Sequence, residues 1–145
     1  MITIRTMTVQ DCHAVAELEK KIFSLPWSEE GFKSAVLMVQ NIFLVAEDAG
    51  ELCGYIGMYS SVDEGEITNV GVAPDRQNQG IGWKLVQAAL SMAKQQGLTQ
   101  IILEVRVSNA SAIHLYEKCG FVNCGIRKGF YDFPKEDAYI MICNQ

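Results

Sequence analysis

The sequence predicts one α/β domain over residues 1–145, of the α+β kind, in which a mixed and mostly antiparallel central sheet is flanked by helices. The chain of 145 residues has the usual size of one domain with one substantial core. Strand-like segments rich in β-branched residues alternate with segments of helical periodicity. No repeat, low-complexity or linker-like stretch divides the chain. The predicted order is a strand, two helices, three strands, a helix, a strand, a helix and two strands.

The N-terminal segment is predicted to hold a strand and two helices. Residues 2–6, ITIRT, alternate as a strand does. Thr8 and Asp11 resemble a capping box, which predicts a helix that starts there and runs to about Phe23, before Pro26. Ser28 is followed by two glutamates and is a favourable N-cap, so it predicts the start of a second helix.

Three consecutive strands are predicted next. Residues 41–48 and 52–61 flank Ala49–Gly50, and this pattern is typical of a β-hairpin. Residues 65–73, GEITNVGVA, form the following strand. These segments supply much of the antiparallel part of the predicted sheet.

Helices and strands alternate in the rest of the chain. Apolar residues at 81, 85, 88, 89 and 92 recur at helical spacing after Gly80, and Gly97 is suited to ending that helix. The remaining predicted elements are a strand at 100–107, a short helix at 110–120 and two strands around a loop that holds Pro134.

The composition excludes several classes of protein. Hydrophobic residues make up 49% of the chain and charged residues 20%, as in ordinary soluble domains. The longest apolar runs, at 35–39 and 42–46, are too short to span a bilayer. The N-terminus lacks the charged start and apolar block of a signal peptide. We therefore expect a cytoplasmic protein with no membrane association.

Charge and cysteine content restrict the partners. A net charge of −5 disfavours direct nucleic-acid binding and suits a basic partner. Five cysteines without a C-x-x-C pair, and only His13 and His114 beside them, lack the spacing of zinc ligands. We expect reduced, mostly buried thiols and no metal site.

The segment 76–84, RQNQGIGWK, is a candidate phosphate-binding loop. It joins a strand to a helix, and helix N-termini bind anions through free backbone N–H groups. A Walker loop is excluded because its first glycine and its Lys-Ser/Thr pair are absent. A Rossmann turn is excluded because Leu85 occupies the third glycine position after Gly80 and Gly82. On its own, the loop is equally compatible with an ordinary glycine-rich turn.

The segments VGVAPDRQNQGIGWKLV and ILEVRVSNASAIHLYEKCGF together resemble the GCN5-related N-acetyltransferases, which use acetyl-coenzyme A (acetyl-CoA). The resemblance extends over essentially the whole chain and includes the signature Q/R-x-x-G-x-G/A at Gln77, Gly80 and Gly82. It implies a pyrophosphate cradle at the helix start and a strand that faces the acetyl group and the pantetheine arm. The implied coenzyme-binding residues are Val70, Gly71, Val72, Gln77, Asn78, Gln79, Gly80, Ile81, Gly82, Trp83, Asn109 and Tyr116.

Within that family the chain is most similar to the enzymes that acetylate the N-terminal alanine of a small-subunit ribosomal protein. Four stretches carry this likeness: PWSEEGF at 26–32, LEVRVSNASAIHLYEKCGF at 103–121, GIRKGFY at 125–131 and EDAYIM at 136–141. Asn78 replaces the arginine common in the loop, and Trp83 stands where a small or basic residue is usual. Both substitutions leave the backbone donors of the loop in place.

Two side chains are predicted to move protons. Glu104 is an unusual carboxylate in an apolar strand, and by the resemblance it is the general base; an ion pair with Arg106 is the structural alternative. Tyr116 is implied as the general acid for the leaving thiolate, because a phenol with a pKa near 10 suits that task; a core tyrosine is the alternative. His114 is expected to be a structural or surface residue, since residues two apart on a helix face different directions.

Two further candidate site residues, Gly71 and Asn109, also have a structural alternative. Gly71 in mid-strand suggests a bulge or splay that frees backbone donors for the oxyanion, but it is also explained as a packing glycine. Asn109 is implied as a coenzyme contact and is equally a good N-cap.

Three functions remain open from the sequence. The first is acetylation of the basic N-terminus of a ribosomal protein, favoured by the acidic residues Asp63, Glu64 and Glu66. The second is acetylation of a small amine, such as a polyamine or an antibiotic. The third is a non-catalytic acetyl-CoA-binding module, against which the joint presence of Glu104 and Tyr116 argues.

Overall fold

A computed structural model describes all residues from 1 to 145 and contains four α-helices and seven strands in the predicted order. The helices are α1 Cys12–Ile22, α2 Glu29–Val36, α3 Ile81–Gln95 and α4 Ala110–Lys118. The strands are β1 Ile2–Thr6, β2 Ile42–Asp48, β3 Glu51–Ser61, β4 Glu64–Val72, β5 Gln100–Arg106, β6 Val122–Tyr131 and β7 Glu136–Asn144.

Short-range signals account for most of the element boundaries. The Thr8 backbone N–H donates to Asp11 Oδ2 at 2.7 Å, as in the predicted capping box, and a short 3-10 turn there leads into α1. Ser28 caps α2 by accepting a hydrogen bond from the Gly31 N–H at 3.1 Å. Gly97 has a φ of 83° just after α3, where a residue with a side chain would be strained.

The seven strands form one sheet in the order β1-β2-β3-β4-β5-β7-β6. Every neighbouring pair is antiparallel except β4 and β5, which run parallel. The predicted mixed, mostly antiparallel sheet is therefore confirmed. The single parallel pair lies at the centre, because α3 is the crossover that returns the chain to the same end of the sheet.

Two hydrophobic clusters lie on opposite faces of the sheet. The larger cluster contains the apolar stripe of α3, including Ile81 and Leu85, together with Leu103 of β5 and Tyr116 of α4. The smaller cluster joins α1 and α2 to residues of β2 and β3 that point the other way, such as Tyr55. On the second face, α1 and α2 thus cover the strands from the N-terminal half of the chain.

The strands β4 and β5 pair over a short distance and then separate. Their register pairs are Glu64 with Gln100, Gly65 with Ile101, and Glu66 with Ile102. Beyond Glu66, β4 continues to pair with β3 while β5 pairs with β7. The segment 67–72 of β4 therefore has no strand partner on its β5 side, and its backbone edge faces a cleft.

The interruption predicted around Gly71 is a splay, and the bulge lies elsewhere. Gly57 of β3 pairs with Asn69, whereas Met58 pairs with Ile67, so Thr68 is the extra residue. Gly71 itself is in register opposite Tyr55. An added Cβ at Gly71 would lie 2.6 Å from the Tyr55 ring, so packing also requires a glycine at this position.

None of the helices is long and apolar enough to cross a membrane. All five cysteines are free thiols, of which Cys12, Cys53 and Cys143 are buried. No three His, Cys, Asp or Glu side chains are grouped so that they could hold a metal ion.

Candidate active site

The cleft between β4 and β5 opens into a cavity of about 1110 Å³ that extends to the start of α3. One side of the cavity is lined by Val70 and Val72 of β4 and another by Leu103 and Glu104 of β5. Because segment 67–72 has no strand partner on this side, its backbone groups are available to a bound molecule. Preorganised backbone N–H groups of this kind stabilise developing oxyanions.

The predicted phosphate loop lies at one end of this cavity. Gly80 is the N-cap of α3 with a φ of 79° and makes no side-chain capping bond. The first N–H groups of a helix have no intrahelical partner, and here no side chain covers them. Asn78 also has a left-handed backbone, with a φ of 64°, which asparagine tolerates better than most residues. The loop therefore presents uncapped donors at the positive end of a helix dipole.

Gln77 is turned toward the strand that precedes the loop, and its Nε2 donates to the Val72 carbonyl at 3.4 Å. Gly82 packs closely against α4, where an added Cβ would lie 3.1 Å from a methyl group of Leu115. Ile81 is buried in the core, so its backbone and not its side chain is available to a ligand. Gln79 is exposed beside Gly80, and Trp83 is 43% exposed on the cavity wall.

Glu104 is half-buried on β5 and forms no hydrogen bond or ion pair with the protein. The alternative of an ion pair with Arg106 is wrong, because the Arg106 guanidinium bonds to Glu136 Oε1 at 3.2 Å. The pKa of Glu104 is raised, first by burial and then by the negative charge of Glu66, while Arg127 lowers it. A free carboxylate with a raised pKa at the edge of a cleft has the properties of a general base.

Tyr116 lies on α4 with 8% of its surface exposed, and its ring packs at 5.8 Å from the Phe121 ring. It is part of the core, as the structural alternative required, and it also lines the cavity. Burial raises the pKa of Tyr116 well above its usual value, so the hydroxyl keeps its proton at neutral pH. A protonated phenol beside a cleft can donate to a leaving thiolate.

Asn109 caps α4, since its side chain accepts a hydrogen bond from the Ala112 N–H at 3.3 Å. It also lines the cavity, so capping and ligand contact are compatible. His114 is exposed on α4 at the rim of the same cavity and has no hydrogen-bond partner that would activate it as a base.

Two loops enclose the far side of the cavity from α3. The first is the turn between α1 and α2, with Phe23, Leu25 and Trp27, and the second is the end of β6 and the β6–β7 connection, with Phe130 and Phe133. Phe23, Leu25, Phe130 and Phe133 are between 40% and 73% exposed. The cavity on this side therefore lies between two apolar walls.

Arg106 anchors the second wall. Its Nη1 donates to the Pro134 carbonyl at 2.8 Å and its Nη2 to the Asp132 carbonyl at 3.0 Å. The guanidinium also lies 4.4 Å from the centre of the Tyr131 ring. From the sequence, Arg106 was only a cation near Glu104. Its role in holding the loop could not be foreseen, because the loop carbonyls that it binds are 26 to 28 residues away along the chain.

The sequence reasoning missed a buried polar cluster below the cavity. Glu19 of α1 is 2% exposed and has no cationic partner. Its Oε1 accepts from Tyr55 Oη and from Asn69 Nδ2, each at 2.9 Å, and its Oε2 accepts from the Trp27 N–H. The cluster ties the first wall to β4, the strand that borders the cleft. A signal was present, because Glu19 follows Val15 and Ala16 at helical spacing on the buried face of α1.

The arrangement combines the parts that acyl transfer to an amine requires. A free carboxylate can take a proton, a protonated phenol can return one, and an unpaired strand edge can stabilise negative charge. An uncapped helix start fits a pyrophosphate, and the two glycines leave its backbone accessible. The residues present thus fit acetyl-CoA as a co-substrate.

Comparison with known proteins agrees with this geometry. Residues 12–121 match the model of the acetyltransferase (GNAT) family. The chain belongs to this family and is an acetyltransferase that uses acetyl-CoA as its acetyl donor.

Two curated relatives are similar over nearly their whole length. A putative [ribosomal protein bS18]-alanine N-acetyltransferase of Bacillus subtilis is 37% identical over 139 residues, covering 95% of this chain and 92% of the relative. The [ribosomal protein bS18]-alanine N-acetyltransferase of Escherichia coli is 34% identical over 143 residues, covering 97% and 96%. The crystal structure of the ribosomal-protein-S18-alanine N-acetyltransferase from Escherichia coli superposes with a TM-score of 0.92, at 32% identity, covering 99% of this chain and 94% of the other.

Proposed function

We propose that the chain transfers an acetyl group from acetyl-CoA to the α-amino group of the N-terminal alanine of ribosomal protein bS18. The observation that carries this proposal is the unpaired Glu104 in the cleft, opposite the free edge of β4. The names of relatives from two bacteria, each matched over more than nine-tenths of its length, support the same acceptor.

Glu104 acts as the base. Acetyl-CoA supplies an activated thioester, and the acceptor amine must be neutral to attack its carbonyl carbon. Glu104 takes the proton that the amine loses as the new C–N bond forms, directly or through one water molecule. Its free state matters here, because a carboxylate held in an ion pair would be a weaker base.

Tyr116 and the edge of β4 serve the other half of the reaction. The unpaired backbone of Val70–Val72 faces the carbonyl oxygen and stabilises the charge that develops on it. When the C–S bond breaks, the Tyr116 hydroxyl gives its proton to the thiolate, so that the products are an acetamide and a free thiol. We assign coenzyme binding to residues that line the cavity, namely Gln77, Asn78, Gly80, Ile81, Gly82, Trp83 and Asn109, and to the exposed Gln79 beside them.

The acceptor is an α-amine and not a lysine side chain. An α-amino group titrates near 7.7–8.0 and a lysine near 10.4, so at pH 7 the α-amine is neutral about a few hundred times more often. One glutamate base with no second cation to lower a lysine pKa suits the easier nucleophile. The acidic protein favours a basic chain start, and we propose that it acts in the cytoplasm without nucleic acid or membrane as a partner.

The experiment is a mass-spectrometric acetylation assay over a panel of acceptors. The panel contains a basic peptide with N-terminal alanine, the same peptide with a blocked N-terminus and internal lysines, and free spermidine. We expect acetylation of the first alone. Faster modification of spermidine would establish the small-amine function instead, and binding of acetyl-CoA with no product from any acceptor would establish a non-catalytic module.

Replacing Tyr116 with phenylalanine tests the proposed acid. The ring and its packing on Phe121 are kept, so coenzyme affinity should not change, whereas turnover should fall by about 10²-fold. Unchanged turnover would assign Tyr116 to the core alone.

A further inference from the structure

One half of the sheet has a face that no helix covers. On the side of β4 and β5 that carries Glu104, the helices α1 and α2 cover the strands as far as β4 only. The strands β5, β7 and β6 extend beyond them, and their other side is covered by the larger core cluster. We call this uncovered side of β4, β5, β7 and β6 the open face.

A row of side chains crosses the open face from strand to strand. The pairing registers place Glu66 of β4 opposite Ile102 of β5, Ile102 opposite Ile142 of β7, and Ile142 opposite Val122 of β6. Directly paired residues point to the same face of a sheet, so these four side chains form one row. Glu104 is paired with Ile140 and begins the adjacent row. The two rows are about 7 Å apart, at 3.3–3.4 Å per residue of strand.

The middle of the row is apolar and has no cover. Ile102, Ile140 and Ile142 are only partly buried, and none of them belongs to either core cluster or packs against one. Val122 at the end of the row is 64% exposed. Contiguous apolar side chains of this kind on a protein surface mark an interaction site.

The rim of the open face toward β4 is acidic. Glu64 and Glu66 are exposed on this face, and neither forms an ion pair with a lysine or arginine. Arg127 is a cation of the same face, and it lies at the end near the β6–β7 loop, 5.8 Å from the Phe130 ring. The part of the face beyond Glu104 therefore offers unpaired carboxylates beside apolar side chains.

We propose that the open face docks the body of a basic protein substrate, the part of its chain that follows the acetylated N-terminus. This inference rests on the proposed function, because it takes the N-terminus to lie at Glu104. The row begins one step from Glu104 on the same face, so a chain that leaves the pocket in this direction meets the row next. Its apolar side chains pack on Ile102 and Ile142, and its lysines and arginines meet Glu64 and Glu66.

Charge favours this occupant over a second copy of the same chain. Two copies, each with a net charge of −5, would bring unpaired carboxylates together around one shared patch. A ribosomal protein carries the opposite charge, because it binds RNA phosphates.

The test compares two acceptors that share one N-terminus. One is the complete basic ribosomal protein, and the other is a short peptide of its first residues that ends before it can reach the row. The variants Val122→Lys and Glu64→Lys both lie on the open face but away from Glu104. Each should raise KM for the complete protein at least about fivefold and change KM for the short peptide much less.

Matched controls lie off the open face. Val62→Lys changes a valine that is 96% exposed in the turn between β3 and β4, and Glu117→Lys reverses an exposed charge on α4. Both should change KM for the complete protein far less than the variants of the open face do. Equal KM effects of Val122→Lys on both acceptors, or on neither, would overturn the docking surface while leaving the proposed function intact.

Two other outcomes are decisive as well. If light scattering finds a dimer that Val122→Lys dissociates, the open face is an interface between copies and the proposal is wrong. If the native enzyme acetylates neither acceptor, the proposed function fails and the docking surface fails with it.

Discussion

At the scale of single residues, Glu104 is unusual because it is a strand carboxylate without any partner. Most half-buried carboxylates accept hydrogen bonds or form ion pairs, since unpaired charge is costly to bury. The nearby Arg106 would be the obvious partner, but it is fully engaged by Glu136 and two loop carbonyls. The consequence is a carboxylate that costs stability and is available for chemistry.

Replacing Glu104 with glutamine should separate these two effects. The variant keeps the shape of the side chain and removes its basicity, so turnover at pH 7 should fall by about 10²-fold or more. The apparent KM for acetyl-CoA should change little. Steady-state kinetics with saturating acceptor measures both values, and native turnover in the variant would show that another group is the base.

The same variant should be more stable than the native protein at neutral pH. The pKa of Glu104 is raised in the folded state, so folding favours the protonated form and the ionised form costs stability. The gain from Glu104→Gln should be absent below the unfolded pKa near 4.3 and should grow as pH rises through the raised folded value. Thermal unfolding measured at several pH values tests this; a lower Tm at pH 7 would contradict it.

Glu66 contributes to the raised pKa of Glu104, second after burial. Replacing Glu66 with glutamine removes the repulsion, so the pKa of Glu104 should fall. The acidic limb of the pH profile of kcat/KM should therefore move to lower pH. Using one acceptor for both enzymes cancels the titration of the amine itself. Glu64→Gln is the matched control and should leave the limb in place; an unmoved limb in Glu66→Gln would mean that Glu104 does not control it.

At the scale of elements, the start of α3 shows what a short motif can and cannot specify. Its spacing predicted the helix, the loop and the exposed backbone, because these depend on residues a few positions apart. The bulge at Thr68 and the separation of β4 from β5 depend on pairing between distant strands. The sequence suggested an interruption at Gly71, but it could not indicate from which neighbouring strand β4 separates.

The α3 start also contains a well-matched pair of glycines for a test of coenzyme binding. Gly80 and Gly97 have φ values of 79° and 83°, and neither has an atom within 4 Å of an added Cβ. Valine at either position should therefore strain the backbone similarly. Only Gly80→Val should weaken acetyl-CoA binding in calorimetry, by at least about 1.4 kcal/mol, which is a factor of ten. Equal affinity in folded Gly80→Val and Gly97→Val proteins would exclude a phosphate cradle at the start of α3.

At the scale of the whole molecule, the order of elements was predictable and the side-chain clusters were not. Helical spacing, caps and turn residues act locally, so they predicted all eleven elements and the placement of Glu104 on its strand. The bonds of Glu19 reach Tyr55 and Asn69, which are 36 and 50 residues away. Contacts at such separations depend on how the finished sheet brings strands together, and no single sequence displays this.

The Glu19 cluster should make a large contribution to stability. Glu19→Ala leaves the buried Tyr55 hydroxyl and Asn69 amide without their acceptor, and each such loss costs about 1–3 kcal/mol. We expect the free energy of unfolding to fall by about 3 kcal/mol in urea titrations. Glu17→Ala is the control on the same helix: it loses only an exposed ion pair with Lys20 and should cost under about 1 kcal/mol. Similar stability of the two variants would show that the cluster is dispensable.

The net negative charge of the enzyme should affect how tightly it binds a charged acceptor. The acidic enzyme attracts a basic chain start, and salt screens exposed charges over about 8–10 Å. Raising the salt concentration should therefore raise KM for a basic N-terminal peptide and leave KM for an uncharged peptide with the same N-terminal alanine nearly constant. Equal salt dependence of the two peptides would rule out steering by the acidic surface.

The gap between β4 and β5 also bears on how the protein avoids aggregation. Unpaired strand edges at the border of a sheet can add strands from other molecules. Here the unpaired segment 67–72 lies between two strands of the same sheet, which converge on the pair Glu66 and Ile102. Because the gap between β4 and β5 narrows in this way, it has room for a thin extended ligand but not for another β-strand with its side chains. The unpaired backbone groups are thus accessible to a small molecule. Neighbouring proteins find no free strand edge there to which they could add a strand.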